Sequence, residues 1–503
     1  MKKHLTFIFL LVFNIGIFAQ VTYEKRIELE LNDNFDKEDL VAFGKEGCLL
    51  ISSDNDATDG LRNWKYQLLN TDLEIIKTET INLSRKLYLK EKYSSKQISH
   101  EFFIDQKGNY TLLSIAIPSI EITKISGSIP KKSYVKDMAV LGDFAFFISY
   151  LKKTPYLFSI NWKTGTKKLI PLNIKGISSK KISIINFQLL ENSNEIFVYL
   201  KAIKSKKESN VYIIRLIENG DKTEVFNLTK ELDKNITSIS TSNCGEDKYI
   251  FTGTYSASAN GMSEGIFFCK TLGEKIEFIK YYNFLDLDNF LSYLPDRKKE
   301  KIEQKKKRKD AKGKEFSINY MIANHDIMPL NDGYLFLGEA YYPTYRTETY
   351  QTTIFINGRA QMQTQFRTVF DGYQYTHAVV AKIDLNGKII WDKTFDMWPS
   401  YKPYFGKKFI SVAKHNNNLK LVFVSRNKII SEAINYEGEI SNKRESEELQ
   451  TGLSGDKVKY AFSNIDFWYD NYFLTNGSQK IKNSTDKSVK RKRKVYFISK
   501  IKY

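Results

Sequence analysis

Six stretches of this chain repeat one shape: an apolar strand, a tight turn and a return strand. The clearest is AVVAKIDLNGKIIWDKTFDMW, residues 378–398. Val379, Ala381 and Ile383 alternate with other residues, as one covered face of a pleated strand requires. Asp384-Leu385-Asn386-Gly387 follows, and Asn-Gly supplies the positive φ of a hairpin turn. Ile389, Trp391, Thr394 and Phe395 lie on the return strand. The other copies turn at Asn70-Thr71-Asp72, Lys163-Thr164-Gly165, Asn219-Gly220, Leu272-Gly273 and Glu437-Gly438. Their spacing, roughly 45 to 110 residues, is that of stacked or radial repeats.

A second strand pair precedes most copies. Ile182 to Leu189 with Glu195 to Lys201, Ile236 to Ser242 with Lys248 to Tyr255, Tyr320 to Met328 with Gly333 to Ala340, and Phe409 to Lys414 with Leu419 to Ser425 are such pairs. Four strands per unit make a propeller blade. The composition agrees, since 34 Phe and 31 Tyr favour half-buried strands. Units begin near residues 40, 98, 134, 181, 235, 318, 407 and 457. The expectation is an all-β chain forming a single β-propeller of eight blades. Seven is the alternative, if the short units near 98 and 134 are one. VYFISKIKY (495–503) reads as a third strand with no fourth, and VTYEKRIELEL (21–31) as a fourth with no third. Pairing them closes the ring and removes an exposed edge.

Ala381, Asp384, Gly387 and Trp391 in AKIDLNGKIIW resemble the repeat of quinoprotein-type (PQQ-like) β-propellers. The resemblance implies that Trp391 packs on the turn of the neighbouring blade and is largely buried, with Asp384 and Gly387 shaping its own turn. It implies a fold and no activity. Counted from the turn, the other copies have Leu169, Glu224, Glu277 and Asn442 where Trp391 stands.

Residues 1–19 have a basic start, an apolar run from Leu5 to Phe18 and a closing Ala19. This reads as a secretory signal peptide, and the run is short for a membrane-spanning helix. No later apolar stretch is long enough to span. The propeller then occupies residues 20–503, and the formal net charge of +19 falls to +17 when Lys2 and Lys3 leave. Export to the periplasm or outer-membrane surface of a Gram-negative bacterium is expected. There the positive charge suits an acidic protein or glycan of the envelope and not a nucleic acid. Cys48, Cys244 and Cys269 show no metal spacing. Cys244 and Cys269 fit two strands of one blade with a third between them. That separation is too wide for a disulfide, so all three read as buried free thiols.

Two insertions interrupt the pattern. Residues 285–317 are lysine-rich and read as a helical or partly disordered arm. Residues 341–377 place Asn357-Gly358 between TTIFI and AQMQTQF, a protruding hairpin. Tyr342, Tyr345, Arg346, Tyr350, Arg359, Arg367, Tyr373 and Tyr375 in this segment are the candidate partner-binding residues, because Tyr and Arg dominate binding hot spots. A third basic run, 487–497, reads as an exposed hairpin loop.

Chemistry is hard to find. His100, His325, His377 and His415 are isolated, and neither HExxH nor GxSxG occurs. The segment 286–289 lacks the glycine and distal glutamate of a calcium loop. No catalytic residue, metal site or cofactor is expected. His325, beside Asp326, either faces a central channel or is satisfied by its neighbours. The expected innermost strands begin with Val-Ala-Phe, Ile-Ser-Ile and Ile-Ser-Val, which are neutral. These features favour a non-enzymatic binding or scaffold protein whose function lies in its insertions. The alternative is a glycan-active propeller enzyme, which needs two facing carboxylates in the channel.

Overall fold

A computed structural model describes residues 21–31, 35–54, 59–95, 97–190, 193–217, 222–229, 234–259 and 261–503. The expected leader at 1–19 and the turn at Asn219-Gly220 lie outside these residues. The described chain is all-β and propeller-like, built from antiparallel sheets that follow one another along the sequence. The first runs Phe35–Ala42, Cys48–Asp54, Leu61–Leu69, Ile75–Ser84. The second to fifth begin at Tyr88, Ser133, Ile182 and Asn235, each with four strands in sequence order. The sixth holds Met321–Asn324, Gly333–Ile356, Arg359–Asp384 and Ile389–Asp396, with Met328–Leu330 paired at its edge. The seventh begins at Ser411. The eighth consists of Asp456–Tyr469, Tyr472–Asn483, Lys492–Lys502 and, from the other end of the chain, Thr22–Glu30.

That last pairing runs antiparallel from Thr22↔Lys502 to Glu30↔Val495. Charge reinforces it. Arg493 pairs with Asp456 in the first strand of the sheet and with Glu28 in the terminal strand, and Arg26 donates to Glu28 and Gln479. Part of the basic run 487–497 therefore works inside the sheet and not in an exposed loop, because Arg493 has two carboxylates to neutralise. The short units near 98 and 134 are separate sheets.

Both faces of most strands are covered, because consecutive sheets pack face to face. Leu49, Tyr66 and Leu68 of the first sheet meet Phe103, Leu113 and Ile115 of the second. Equivalent cores join each sheet to the next. Leu40, Cys48 and Leu50 of the first sheet share a core with Trp468, Leu474 and Ile498 of the eighth. Most first strands lie against the first strand of the neighbouring sheet, from Tyr88–Ser94 through to Met321–Asn324 and from Ser411–His415 through to Phe35–Ala42, and they border a central space.

The turns between third and fourth strands receive side chains from the preceding sheet. Trp391 Nε1 donates to Tyr436 O at 3.0 Å, and the indole covers Gly438 so closely that a Cβ there would sit 2.6 Å from Cγ. Gly438 has φ 92°, so any side chain at this position meets both a strained backbone and the ring. Trp391 is half-buried and not largely buried, because it lies on an outer strand with one face toward solvent. Asp384 Oδ1 accepts from the Asn386 and Lys388 amides, and Gly387 lies under Phe268 and Phe278 of the fifth sheet.

Phe278, not Glu277, is the counterpart of Trp391. Glu277 and Ile390 are bulged, so Phe278 opposes Lys270 as Trp391 opposes Lys382. Lys77 and Lys25 occupy the same place, reaching Ser119 O of the second sheet and Glu74 of the first. The contact is general while its chemistry varies. Cys48 and Cys269 are buried, but Cys244 is exposed, since it ends a strand beside Gly245 at a hairpin tip. Lys248–Ser256 runs between the strands of Cys244 and Cys269.

Candidate functional site

Two regions present chemistry to solvent. The first is the hairpin of the sixth sheet. Its strands pair continuously from Gly333↔Asp384 to Ile356↔Arg359, and Asn357 and Gly358 turn with φ 51° and 75°. The sheet's other long partners stop at Tyr341 and His377, so beyond them the ribbon has two strands, flanked near its root by Lys402, Pro403 and Tyr404. Alternation then sorts the side chains. Tyr345, Phe355, Met362, Phe366 and Phe370 fall on one face. Of these, Tyr345, Phe355, Met362 and Phe366 are 62%, 74%, 65% and 70% exposed. Arg346, Glu348, Tyr350, Arg359 and Arg367 fall on the other.

On that second face Glu348 takes Arg346 and Arg367, each at 2.8 Å, and the two guanidiniums hold its carboxyl below the usual range. Tyr350 donates to Gln365 at 2.7 Å. Arg359 is exposed beside the turn. At the root, Tyr342 is on the margin of exposure and Tyr373 is half-buried against Tyr341 and Phe370. Tyr375 is buried, stacked on Tyr341 with centroids 4.7 Å apart. Its hydroxyl donates to Lys407 O and accepts from Lys407 N. Tyr375 thus anchors the hairpin and presents no surface. Phe355, Met362 and Phe366 were not singled out from sequence, because residue type alone pointed to Tyr and Arg. Face assignment from the pairing register identifies them.

The lysine-rich insertion forms a helix, Asp296–Asp310, with no buried residue. The segment before it is fastened to the sixth sheet. Asp392 accepts from the amides of Asp288 and Asn289, and Tyr293 stacks on His377 at 4.0 Å. Both insertions therefore root on one sheet.

The second region is the central space. The first strands carry Asp39, Glu91, Asp137 and Asp466, contrary to the neutral lining expected. One cause is that Tyr88–Ser94, with sequence YLKEKYS, is an inner strand whose charges read as a linker. Another is that Phe35–Ala42 starts earlier than its apolar end suggests. Bulges before Glu91 and Asp137 re-aim both side chains. Burial pushes the Glu91 carboxyl up to about 7, with Asp137 of the next sheet adding repulsion against the pull of Lys90. Burial likewise raises Asp137 and Asp466. Lys408, in the loop before the seventh sheet, lies near enough to Asp137 of the third to oppose that rise.

His325 pairs with the fully buried Glu339 at 2.8 Å, and Glu339 also accepts from the amides of Phe409 and Ile410, just before the seventh sheet. That histidine is part of a junction between sheets. Among the described residues no group of three or more His, Cys, Asp or Glu is placed to hold a metal ion. No helix among them is long and apolar enough to cross a membrane.

No protein-family model matches the chain, and no curated protein does. Solved structures similar to it include the polysaccharide lyase Uly1, at 10% identity and TM-score 0.40 over 82% of this chain and 90% of that one. The β-propeller domain of the trilobed protease from Pyrococcus furiosus matches at 7% identity and TM-score 0.35, over 83% and 94%. TolB from Acinetobacter baumannii matches at 12% identity and TM-score 0.31, over 78% and 77%. Likeness of this degree assigns no activity.

Proposed function

We propose that this chain is an exported, non-enzymatic binding module of the bacterial envelope. In this reading the eight sheets are eight blades of a propeller, closed by the pairing of Thr22–Glu30 with Lys492–Lys502. The ring is a rigid base that holds the sixth-sheet hairpin out to a protein partner. One observation carries the reading: an ordered ribbon exposes Tyr345, Phe355, Met362 and Phe366 on a single face. Exposed large apolar groups gathered on one surface mark interaction sites. Arginines on the opposite face and the lysine-rich helix rooted on the same sheet suit an acidic partner. The leader over 1–19 supports export. The second reading, a glycan-active enzyme, draws support from Glu91 and Asp137 on adjoining inner strands, with carboxyls raised as an acid catalyst needs.

The test replaces Thr352 to Thr368 with a short Gly-Ser linker. The variant is expected to fold and to lose the partner that the parent protein captures from envelope extracts. Equal capture by both proteins would remove the basis of the reading.

A further inference from the structure

Two adjoining hollows open onto the central space, and two buried polar atoms beside them, Ser99 Oγ and Glu101 Oε1, lack partners among the described residues. The first, about 330 Å³, lies between the first, second and eighth sheets and is lined by Lys92, Tyr93, Ser99, Asp466 and Phe467 among others. The second, about 240 Å³, shares Lys92 and Asp466 and adds Asp39 of the first sheet, Asn464 of the eighth, and Lys407 and Lys408 from the loop before the seventh. Together they reach the size of small-ligand sites.

Ser99 is 1% exposed, lines the first hollow, and its Oγ has no hydrogen-bond partner among the described residues. Two residues along the same strand face stands Glu101, fully buried. Tyr66 donates to its Oε2 at 2.7 Å while Oε1 has no partner among the described residues. An unmet buried polar atom costs about 1–3 kcal/mol, so two on one strand face beside a hollow call for an explanation. A bound ligand supplies one.

The charges select its class. Lys92, Lys407 and Lys408 face Asp39 and Asp466, a surplus of one cation. Lys92 is paired with Asp39 at 2.6 Å, and Lys407 donates to the Tyr401 hydroxyl. Among the described residues Lys408 has no partner at contact distance. An ammonium surplus takes a carboxylate. Carboxylates, amides and a serine hydroxyl take ligand hydroxyls, and Tyr93 and Phe467 offer aromatic surface to C–H groups. We propose that the paired hollows bind an acidic sugar, a hexuronate unit. Its carboxylate lies toward Lys408 and its hydroxyls toward Asp466 and Ser99. The assignment is independent of the hairpin.

Calorimetric titration of the whole mature protein with glucuronate, galacturonate, glucose and galactose tests it. A hexuronate is expected to bind at least about tenfold tighter than its neutral hexose, a difference of about 1.4 kcal/mol. Lys408→Ala, at an exposed position, is expected to erase that preference without moving the melting temperature. Ser99→Ala is expected to weaken both sugar types alike. The Gly-Ser hairpin variant is expected to bind hexuronate as the parent does, which separates this site from the partner-binding surface. The proposal is overturned if no sugar gives heat, as when water alone fills the hollows. It is also overturned if acidic and neutral sugars bind equally, or if Lys408→Ala keeps the preference.

Discussion

Inside the sixth sheet and outside it, the same two strands meet opposite fates. Leu335, Leu337, Ala378 and Val380 are fully buried, covered by the neighbouring sheets. Twelve to twenty residues further along the same ribbon, Phe355 and Phe366 stand in solvent. Backbone pairing is unbroken between them apart from two bulges. Strand formation and burial are therefore separate outcomes in this chain, decided by different neighbours. An isolated two-stranded ribbon is marginal in water. This one is held at its root by the stack of Tyr341, Tyr373 and Tyr375, and along its length by Glu348 between two arginines.

The contrast sets an order of expected effects. The largest comes from the covered part. Deleting residues 495–503 opens the eighth sheet and leaves Thr22–Glu30 without a partner, so misfolding or aggregation is expected. A truncated chain that stays monomeric and melts as before would show that the closure contributes nothing. Next comes Tyr375→Ala at the root, expected to cost about 3–5 kcal/mol as a buried aromatic with a bonded hydroxyl. Chemical denaturation measures it. Trp391→Ala is expected to cost less, about 2 kcal/mol, since half of the indole already meets water. A loss equal to that of Tyr375→Ala would place the outer turn contact on a par with the root.

Glu101 gives a pH signature in the body of the protein. Burial raises its carboxyl from 4.5 to about 7. Between those values the native state keeps the proton that the unfolded chain has lost. Stability therefore falls as pH rises from 4.5 to about 7 and is level above. Glu101→Gln is expected to make the change in melting temperature between pH 5 and pH 7.5 smaller than in the parent. An unchanged pH profile would show that Glu101 does not titrate in that range. The smallest effect belongs to the uncovered part. Phe366→Ala is expected to stay within about 0.5 kcal/mol of the parent. A loss of several kcal/mol would mean that the ribbon is packed in solution.

The sequence conveyed the strands far better than their cover. Alternation and Asn-Gly marked the hairpin at Asn357-Gly358, and the unmatched terminal segments pointed to the pairing of residues 21–31 with 495–503. Alternation is the same whether a neighbouring sheet lies on a face or not, so exposure of Phe355 and burial of Tyr375 left no trace in it. The counterpart of Trp391 escaped for a geometric reason. Bulges and unequal turn lengths shift the count from the glycine by one, which hides Phe278. The inner carboxylates escaped because YLKEKYS carries too little apolar pattern to stand out as a strand, although six of its residues oppose the buried strand beside it.

The pairing of Thr22 with Lys502 also bears on how the molecule is made. The strand Thr22–Glu30 precedes every other strand described above, and its partner Lys492–Lys502 follows the other seven sheets. It must wait, unpaired, until those seven sheets have been synthesised. Intermediate sheets assemble from local hairpins as they emerge, but the final contact spans the longest separation in the chain and is the slowest kind to form.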